Sequence, residues 1–401
     1  RVADFSHVMA GPYASHLLLL MGAEIIKIEQ PNTGDPMRNY GTDRRYDGMA
    51  PAFIAVNAGK QSIALDLKNP AHLQVAKEII MRSDVVLENF RPGVMSRLGL
   101  GYEDVRKLKE DIIYCSVSGY GQDGPLRDWP AIDNIVQATC GMMSLGGSTD
   151  DPPMRVGFPV VDTLTGQTAA FAILAALLRK QQGGGGDYID VAMFDSTLAF
   201  MTSAVVPYLV TGKALERTGN VGYSGQPTSA LFLARDGRNI SLGVVQQHQF
   251  VALAKLLDRN DWLTDPRFCN PEQRRLHSSG MQQELRQELS KRDAADWESC
   301  MSEAGIPCGM VRDVSEAASM QHLVGRNALL PLTIPGLPDS EQVQIVNAGF
   351  QMAAQGPSVS TPPPRLGQHA EKILQWLGYQ EEQIIALNLG GNEDVKIQSK
   401  G

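Results

Sequence analysis

The chain has 401 residues, of which 43% are hydrophobic, and its 36 Lys and Arg against 44 Asp and Glu give a formal net charge of −8. This composition is typical of a folded soluble protein, and the length predicts two domains or one large domain carrying an insertion, because single cores rarely exceed roughly 250–300 residues. The acidic balance excludes a sequence-independent nucleic-acid binder, whereas small anionic ligands stay possible because a few local cations can bind them.

The first 120 residues alternate between strand-like and helix-like runs. Strands alternating with helices predict a parallel sheet that is covered on both faces. The predicted strands are Val2–Phe5, Glu24–Glu29, Ser62–Leu67, Asp84–Glu88 and Ile112–Val117, with helices at Ala10–Met21 and Ala71–Met81. Ligands of such sheets bind beyond the carboxyl ends of the strands, where three loops are polar and rich in Gly or Pro. These loops are Ser6–Gly11, Asn89–Gly93 and Ser118–Gly124.

The rest of the chain predicts one more large-domain block, a smaller domain and a C-terminal segment. The block comprises helices at Ile135–Leu145, Thr165–Arg179 and Ala192–Val210 and a strand at Tyr188–Val191. Hairpin-like runs and charged amphipathic helices then predict a smaller α+β domain. The predicted fold class is α/β with a Rossmann-like large domain. The predicted domains are residues 1–210, 220–325 and 335–401, the last returning to the large domain.

The sequence lacks the patterns of a disulfide framework, a membrane span, a metal site and a phosphate-binding loop. The five cysteines (115, 140, 269, 300 and 308) form no CxxC pair and predict reduced thiols in a cytoplasmic protein. The apolar stretches Thr168–Leu178 and Thr197–Val210 are shorter than the roughly 18 residues of a membrane span, and no cleavable signal is visible. The seven histidines lack metal-ligand spacing. The glycines Gly183–Gly186 follow a predicted helix rather than a strand, which favours a surface turn over a phosphate loop.

One carboxylate stands out chemically. Asp162 is the only charged residue between Arg155 and Arg179, and it comes just before the apolar helix predicted to begin at Thr165. Asp followed by Thr-x-Thr is good capping chemistry, so an N-cap is one interpretation. A carboxylate at a helix N-terminus in apolar surroundings is also a plausible covalent nucleophile. The residues alone leave both interpretations open.

The sequence resembles family III CoA-transferases, the CaiB/BaiF family, through motifs that span nearly the whole chain. The early motifs are Asp4–Pro12, Gly22–Glu29, Gly34–Arg38, Ser62–Lys68, Glu88–Gly93 and Arg97–Gly99. The later ones are Ser118–Pro125, Asp190–Asp195, Gly305–Gly309 and Leu366–His369. The resemblance implies an enzyme that moves CoA from an acyl-CoA donor to a free carboxylic acid. It implies no permanently bound cofactor, since coenzyme A is a substrate, and it implies an interlocked homodimer.

The resemblance also assigns roles to individual residues. Asp162 matches the family's nucleophile, which forms aspartyl anhydride and aspartyl-CoA intermediates. His7, Val8, Met9 and Ala10 match the loop that runs along the CoA pantetheine, and Arg38, Lys68 and Arg97 match basic positions near the nucleotide. Leu65, Asn89, Phe90 and Leu98 match the lining of the adenine and ribose pocket. Without the resemblance, the cations would be interpreted as solvated surface charges, and His7 and Phe90 as core residues.

Two alternative functions stay open. Acyl-CoA racemases of the same fold resemble this chain, but they place a histidine where this sequence has Ile132, and isoleucine cannot transfer a proton. A non-catalytic CoA-binding protein is the other alternative. Pro130 replaces a basic position, and the long Gly-rich insert of formyl-CoA transferases is missing near Gly222–Gly225. Both departures disfavour a formyl/oxalate substrate pair and leave a short dicarboxylate or related acid as an open alternative.

Overall fold

A six-stranded, fully parallel sheet organises the first part of the chain in the computed structural model. The structure describes residues 1–41, 43, 45–47, 49–335, 337–338, 343–387 and 389, so parts of the predicted segment 335–401 lie outside the described residues. The strand order is β3-β2-β1-β4-β5-β6. The strands are β1 Val2–Asp4, β2 Ile25–Glu29, β3 Gln61–Ala64, β4 Val85–Glu88, β5 Ile113–Ser118 and β6 Asp187–Ala192.

The central strands are buried on both faces, which explains their nearly continuous apolar character. Alternate side chains of β2 enter different cores: Ile25 packs in one apolar cluster, and Ile26 and Ile28 pack in another. Helices cover the two faces. Helices α1 and α7 pack in one of these clusters, and α3, α4 and α5 pack in the other. The helices of this part of the chain are α1 Ala10–Leu20, α2 Pro51–Asn57, α3 Pro70–Met81, α4 Val94–Arg97, α5 Tyr102–Leu108, α6 Asp133–Thr139, α7 Val160–Gln181, α8 Met193–Phe200 and α9 Thr202–Thr211. The predicted parallel α/β sheet covered by helices is confirmed.

Helix boundaries differ from the predicted ones in three places. The predicted helix Ile135–Leu145 is the shorter α6, which begins two residues earlier at Asp133. The predicted helix Thr165–Arg179 is the longer α7, which begins at Val160, so Asp162 lies inside its first turn. The predicted helix Ala192–Val210 is broken at Met201 into α8 and α9, which are bent by 78°.

The length of α7 bears on the membrane prediction. Among the described residues it is the one helix long and apolar enough to cross a membrane, and the bent pair of α8 and α9 would add a second span if it were continuous. This is weak support for a span, because core helices pass the same test and α7 packs its Ala169, Ala170 and Ile173 against the sheet.

The chain divides into two compact units. The second unit comprises residues 143–154 and 214–320, and the first unit comprises the remainder. In the second unit a three-stranded antiparallel sheet packs with helices around buried aromatic residues such as Phe250 and Trp262. Its elements are β7 Ser229–Leu233, β8 Asn239–Gly243, β9 Cys308–Met310, α10 Gln247–Leu256, α11 Pro271–Leu276, α12 Ser278–Leu289, α13 Ala294–Glu303 and α14 Val314–Ala318.

The chain then returns to the first unit. The antiparallel pair of β10 and β11 packs with α2 in an apolar cluster, and α16 packs on the core that contains β3 and α3. These elements are α15 His322–Gly325, β10 Leu329–Leu332, β11 Val343–Val346, α16 Ala370–Leu377 and α17 Glu381–Leu387.

Candidate active site

The strand order reverses between β1 and β4, which makes the loops after these two strands neighbours. Successive strands run outward on one side through β2 and β3 and on the other through β5 and β6. Such a switch point opens a crevice at the carboxyl ends of the strands, and ligands of parallel sheets bind there. The loop after β1 carries His7, and the loop after β4 carries Asn89.

Asn89 joins these two loops through its side chain. Its Oδ1 accepts a hydrogen bond from the His7 backbone N–H at 2.9 Å, and its Nδ2 donates to the His7 carbonyl at 2.8 Å. The His7 and Phe90 rings lie 5.2 Å apart. Burial lowers the pKa of His7, which keeps the imidazole neutral near pH 7. The structure therefore brings three predicted site residues together, with Asn89 holding the loop that contains His7.

Val8 has an unusual backbone conformation. Its φ of 65° lies in the left-handed region, which is strained for a β-branched residue. The Val8 N–H donates to Asp35 Oδ1 at 3.0 Å, and this contact holds the strained turn. Backbone strain of this kind is concentrated at binding sites, where the surrounding structure maintains it.

Buried lysine and aspartate side chains form an ionic network that contacts the loop at residues 6–9. Lys27 Nζ lies 2.9 Å from Asp35 Oδ2 and donates to the Ser6 carbonyl at 2.7 Å. Lys60 Nζ lies 3.3 Å from Asp4 Oδ2. Burial alone would raise the pKa of Asp4, but the Lys60 and Lys27 charges outweigh burial and lower it. The loop at residues 6–9 is therefore held by hydrogen bonds to Lys27 and Asp35, whose opposite charges compensate each other.

Asp162 lies in the first turn of α7, one turn before the residue that packs on α1. Gly166, four residues later on the same helical face, packs so closely on α1 that an added Cβ would lie 2.7 Å from the Ala10 carbonyl oxygen. This contact brings the start of α7 against the predicted pantetheine loop at Met9 and Ala10. The N-cap of α7 is Pro159, so the interpretation of Asp162 as an N-cap is wrong.

The Asp162 carboxylate is held in its protonated form more tightly than an ordinary aspartate. Burial, and secondly the charge of Asp133, raise its pKa from 3.8 to about 7. Within the described part of the chain, the carboxylate has no hydrogen-bond donor and no cation as a partner. A half-buried carboxylate without a partner is chemically available for covalent bond formation.

Sequence reasoning missed Asp133. Its Oδ2 accepts hydrogen bonds from the backbone N–H groups of Val161 and Asp162, at 2.7 and 3.2 Å. The available signal was an acidic residue two positions before the predicted helix Ile135–Leu145. Its contact with the start of α7 depends on tertiary packing, which the sequence does not show.

A cavity of about 620 Å³ opens beside the first turn of α7. Its lining includes Met9, Tyr13, Leu20, Ile54, Phe158 and Thr163, and none of the described lining residues is an Asp, Glu, Lys or Arg. His16 also lines the cavity, and burial lowers the pKa of its imidazole to about 3, so this ring is neutral.

The three predicted basic residues differ in exposure, because Arg38 is buried and the other two are not. Lys68 and Arg97 are exposed. At Gly93, whose φ of 81° favours glycine, an added Cβ would lie 3.2 Å from Arg97 Nη1 and 3.6 Å from Arg127 Nη2. Sequence reasoning did not identify Arg127. Neither guanidinium has a carboxylate partner among the described residues. Two close and uncompensated guanidinium groups are suited to an anion.

Arg38 differs from the expectation of a phosphate contact. Its guanidinium forms a buried, bidentate ion pair with Glu29 at 2.7 and 2.8 Å, donates to the Pro364 carbonyl at 2.9 Å and lies 4.0 Å from the Phe53 ring centroid. These contacts give Arg38 a structural role in this conformation, because its donors face protein acceptors.

The residues predicted to line an adenine pocket also pack internally. Leu65 is only 1% exposed and belongs to the core, and Phe90 and Leu98 are partly buried against that same core. No group of three or more His, Cys, Asp or Glu side chains among the described residues could hold a metal ion.

Comparisons with known proteins identify the family to which the chain belongs. The family model of CoA-transferase family III matches residues 1–370. An acetyl-CoA:oxalate CoA-transferase from Acetobacter aceti is 40% identical over 342 residues, covering 84% of this chain and 87% of that protein. A succinyl-CoA–D-citramalate CoA-transferase from Chloroflexus aurantiacus is 32% identical and covers 96% of this chain and 95% of its own length.

The fold is also similar to those of solved structures. A CaiB/BaiF family protein from Brucella suis superposes with a TM-score of 0.83 at 26% identity, covering 94% of this chain and 97% of that one. A Mycobacterium tuberculosis protein superposes with a TM-score of 0.81 at 27% identity, covering 92% and 96%. With the parallel sheet, the switch-point loops and the family match over residues 1–370 all in agreement, this chain belongs to CoA-transferase family III.

Proposed function

We propose that this enzyme transfers CoA between two carboxylic acids with Asp162 as its covalent nucleophile. The observation that carries the proposal is the unpartnered Asp162 carboxylate in the first turn of α7, the helix whose Gly166 packs on Ala10 and whose Thr163 lines the cavity. Met9 and Thr163, the neighbour of Asp162, both line that cavity. A thioester whose pantetheine follows the loop would present its carbonyl carbon to Asp162.

The reaction proceeds by successive acyl transfers in which the atoms balance. The Asp162 carboxylate attacks the donor thioester, and the C–S bond breaks to give an aspartyl–acyl anhydride and CoA thiolate. The thiolate attacks the Asp162 carbonyl of the anhydride, which releases the donor acid and forms an aspartyl-CoA thioester. The acceptor carboxylate attacks this thioester and expels the thiolate, which then attacks the acceptor's acyl carbon. The products are the new acyl-CoA and the free Asp162 carboxylate.

The apolar cavity suits these intermediates. Anhydrides hydrolyse readily, so an apolar lining such as Leu20, Ile54 and Phe158 suits them better than a polar one. Acids in the range of the relatives' named substrates, such as oxalate and citramalate, are the first candidates. Incubating the enzyme with acetyl-CoA or succinyl-CoA and a panel of short mono- and dicarboxylic acids tests this proposal through the formation of new acyl-CoA. Failure with every pair, despite CoA binding, would favour the non-catalytic alternative.

The rate should fall on the acidic side of neutrality. Because attack needs the ionised carboxylate and the pKa of Asp162 is raised to about 7 by burial and Asp133, kcat/KM should decrease about tenfold for each pH unit well below 7. Glu88 has a similar pKa of about 7, caused mainly by burial, and provides the control. We expect Glu88→Gln to retain the acidic limb. Loss of the limb in Glu88→Gln, or an apparent pKa near 4 in the wild type, would contradict the assignment to Asp162.

Arg97 and Arg127 are the proposed contacts of the CoA phosphates. Removing one charge-assisted hydrogen bond costs about 1.5–3 kcal/mol, so Arg97→Ala should raise the KM of the acyl-CoA about tenfold or more with little change in kcat. The exposed Arg106 on α5 is the matched control, and Arg106→Ala should leave KM unchanged. Steady-state kinetics with an acyl-CoA and its 3′-dephospho analogue show which phosphate is bound. An equal KM for the Arg97 variant and the control would refute the contact.

We also propose a homodimer. Phe171, Leu174 and Leu178 form an exposed apolar stripe on α7, with exposed fractions of 75%, 48% and 57%. On α9, Leu209 and Val210 are exposed by 71% and 78%. Contiguous apolar surface of this kind marks a protein interface, and the family resemblance makes a second copy of the chain its occupant. Light scattering after gel filtration should give twice the mass of one chain, and a monomer would contradict this proposal.

A further inference from the structure

The N-terminus of α7 lacks a cap from its own chain segment. Its N-cap residue, Pro159, has no side chain that can accept a hydrogen bond. The first backbone N–H groups of a helix have no partner within the helix and need an external acceptor. Asp133 Oδ2 provides it, at 2.7 Å from the Val161 nitrogen and 3.2 Å from the Asp162 nitrogen. A residue on α6 therefore caps the helix that bears the candidate nucleophile.

Asp133 is itself held in place. Gln137, one turn later on α6, donates from Nε2 to Asp133 Oδ1 at 2.6 Å. The Gln137 side chain also accepts a hydrogen bond from the Val156 N–H at 2.9 Å. Gln137 is completely buried, so this pair of contacts fixes Asp133 relative to the segment that leads into α7. Both Asp133 oxygens have donors.

We propose that Asp133 is a positioning residue for CoA transfer, because it binds the first-turn amides of α7 and thereby leaves the Asp162 carboxylate free to attack. An aspartate at this place in a helix would otherwise be drawn toward those amides as a cap, which would oppose attack on a thioester. The inference rests on the proposed function, in which Asp162 is the nucleophile. Asp133 forms no covalent bond in this scheme.

The charge of Asp133 has a second consequence. Burial and the Asp133 charge together disfavour the ionised form of Asp162. Once Asp162 is acylated it carries no charge, so the repulsion between the two side chains disappears in the covalent intermediates. Asp133 therefore favours the aspartyl-CoA state relative to the free enzyme, while its hydrogen bonds keep the helix start fixed.

Two substitutions separate the hydrogen bonds from the charge. Asp133→Ala removes both, whereas Asp133→Asn keeps a carbonyl oxygen that can accept from the α7 amides. We expect Asp133→Ala to accelerate hydrogen exchange at the amides of residues 161 and 162. We also expect it to lower kcat at least tenfold, with the KM of the acyl-CoA within about twofold of wild type. Asp133→Asn should restore the amide protection and part of kcat. It should accumulate less aspartyl-CoA than wild type when acyl-CoA is supplied without acceptor.

The matched control is Asp296→Asn, at an exposed position in the first turn of α13 in the second unit, and it should change none of these readouts. Wild-type amide protection in Asp133→Ala, or lost protection with an unchanged kcat, would overturn the proposal. If Asp133→Ala does not fold, wild-type accumulation of aspartyl-CoA in Asp133→Asn overturns it instead. The proposed function has a separate test, because the absence of any covalent adduct on Asp162 in the wild-type enzyme would contradict it. Hydrogen exchange at residues 161 and 162 reports only on the capping by Asp133.

Discussion

Replacing Asp162 with asparagine should abolish CoA transfer and at the same time make the protein more stable. Asparagine has nearly the same shape but cannot act as the carboxylate nucleophile, so the loss of kcat should be at least several thousandfold, as for other covalent catalysts. The gain in stability follows from the raised pKa, since burial and Asp133 disfavour the ionised carboxyl in the folded state.

The sign and the pH window of this stability effect are fixed by linkage. A carboxyl with pKa 3.8 when unfolded and about 7 when folded is ionised more readily in the unfolded chain. Ionisation of Asp162 therefore lowers the free energy of unfolding. This destabilisation is absent below about pH 4, grows as the pH rises and is complete above about pH 7, where it amounts to about 2–4 kcal/mol. Asp162→Asn should remove it and raise the melting temperature by several degrees at pH 7 but not at pH 4.

Thermal unfolding and transfer assays on the same samples check both halves of this prediction. Asp296→Asn, on the surface of the second unit, should change neither activity nor melting temperature. An Asp162→Asn variant that melts at or below the wild-type temperature at pH 7 would contradict the electrostatic account. Retained transfer would contradict the nucleophile itself.

Lys27→Met should be strongly destabilising, because Lys27 compensates two buried carboxylates. It lies 2.9 Å from Asp35 Oδ2 and lowers the pKa of Asp4 together with Lys60. Breaking a buried ion pair by removing one partner costs about 3–5 kcal/mol. The Ser6 carbonyl also loses its donor, so the loop at residues 6–9 should loosen and the KM of the acyl-CoA should increase.

Denaturant unfolding and steady-state kinetics measure these two effects. The exposed pair of Arg235 and Asp293 is the control, and Arg235→Met should leave the unfolding midpoint unchanged. If Lys27→Met does not fold, the double variant Lys27→Met, Asp35→Asn carries the test. It removes both charges yet keeps an acceptor for the Val8 N–H, so it should be more stable than the single variant. A Lys27→Met protein as stable as Arg235→Met would refute the role of the network.

The parallel sheet was predictable because its signal is local. Apolar strands separated by helical periodicity identify each strand of β1 to β6, and every one of the six overlaps a predicted strand. The polar loops at the carboxyl ends were predictable for the same reason, since parallel strands bring these loops to one edge. Sequence reasoning could therefore place His7 and Asn89 at the same end of the sheet, although not the hydrogen bonds between them.

The partners of the charged residues were not predictable, since they depend on packing. Arginine is usually exposed, so the sequence predicts an exposed cation at Arg38. Its tertiary contacts with Glu29 and Phe53 bury the side chain instead. Asp133 and Asp162 are 29 residues apart, and their relation depends on where α6 and α7 begin, which periodicity resolves only to within a few residues. The left-handed φ of Val8 has no sequence signal, because valine is a residue that usually avoids it.

An isotope measurement tests the central claim, covalent catalysis by Asp162, most directly. If an acceptor acid labelled with ¹⁸O in its carboxylate attacks the aspartyl-CoA, the bridging oxygen of the resulting anhydride comes from the acceptor. When the thiolate then takes the acyl group, this oxygen stays on Asp162. Trypsin should release residues 156–179 as one peptide, in which Asp162 is the only acidic side chain, so the label can be assigned without ambiguity.

After many turnovers, mass spectrometry should find ¹⁸O in this peptide, and in no other peptide, when donor acyl-CoA and labelled acceptor are both supplied. Omitting the donor acyl-CoA should leave the peptide unlabelled. New acyl-CoA formed with no ¹⁸O in residues 156–179 would contradict an Asp162 anhydride and, with it, the proposed mechanism.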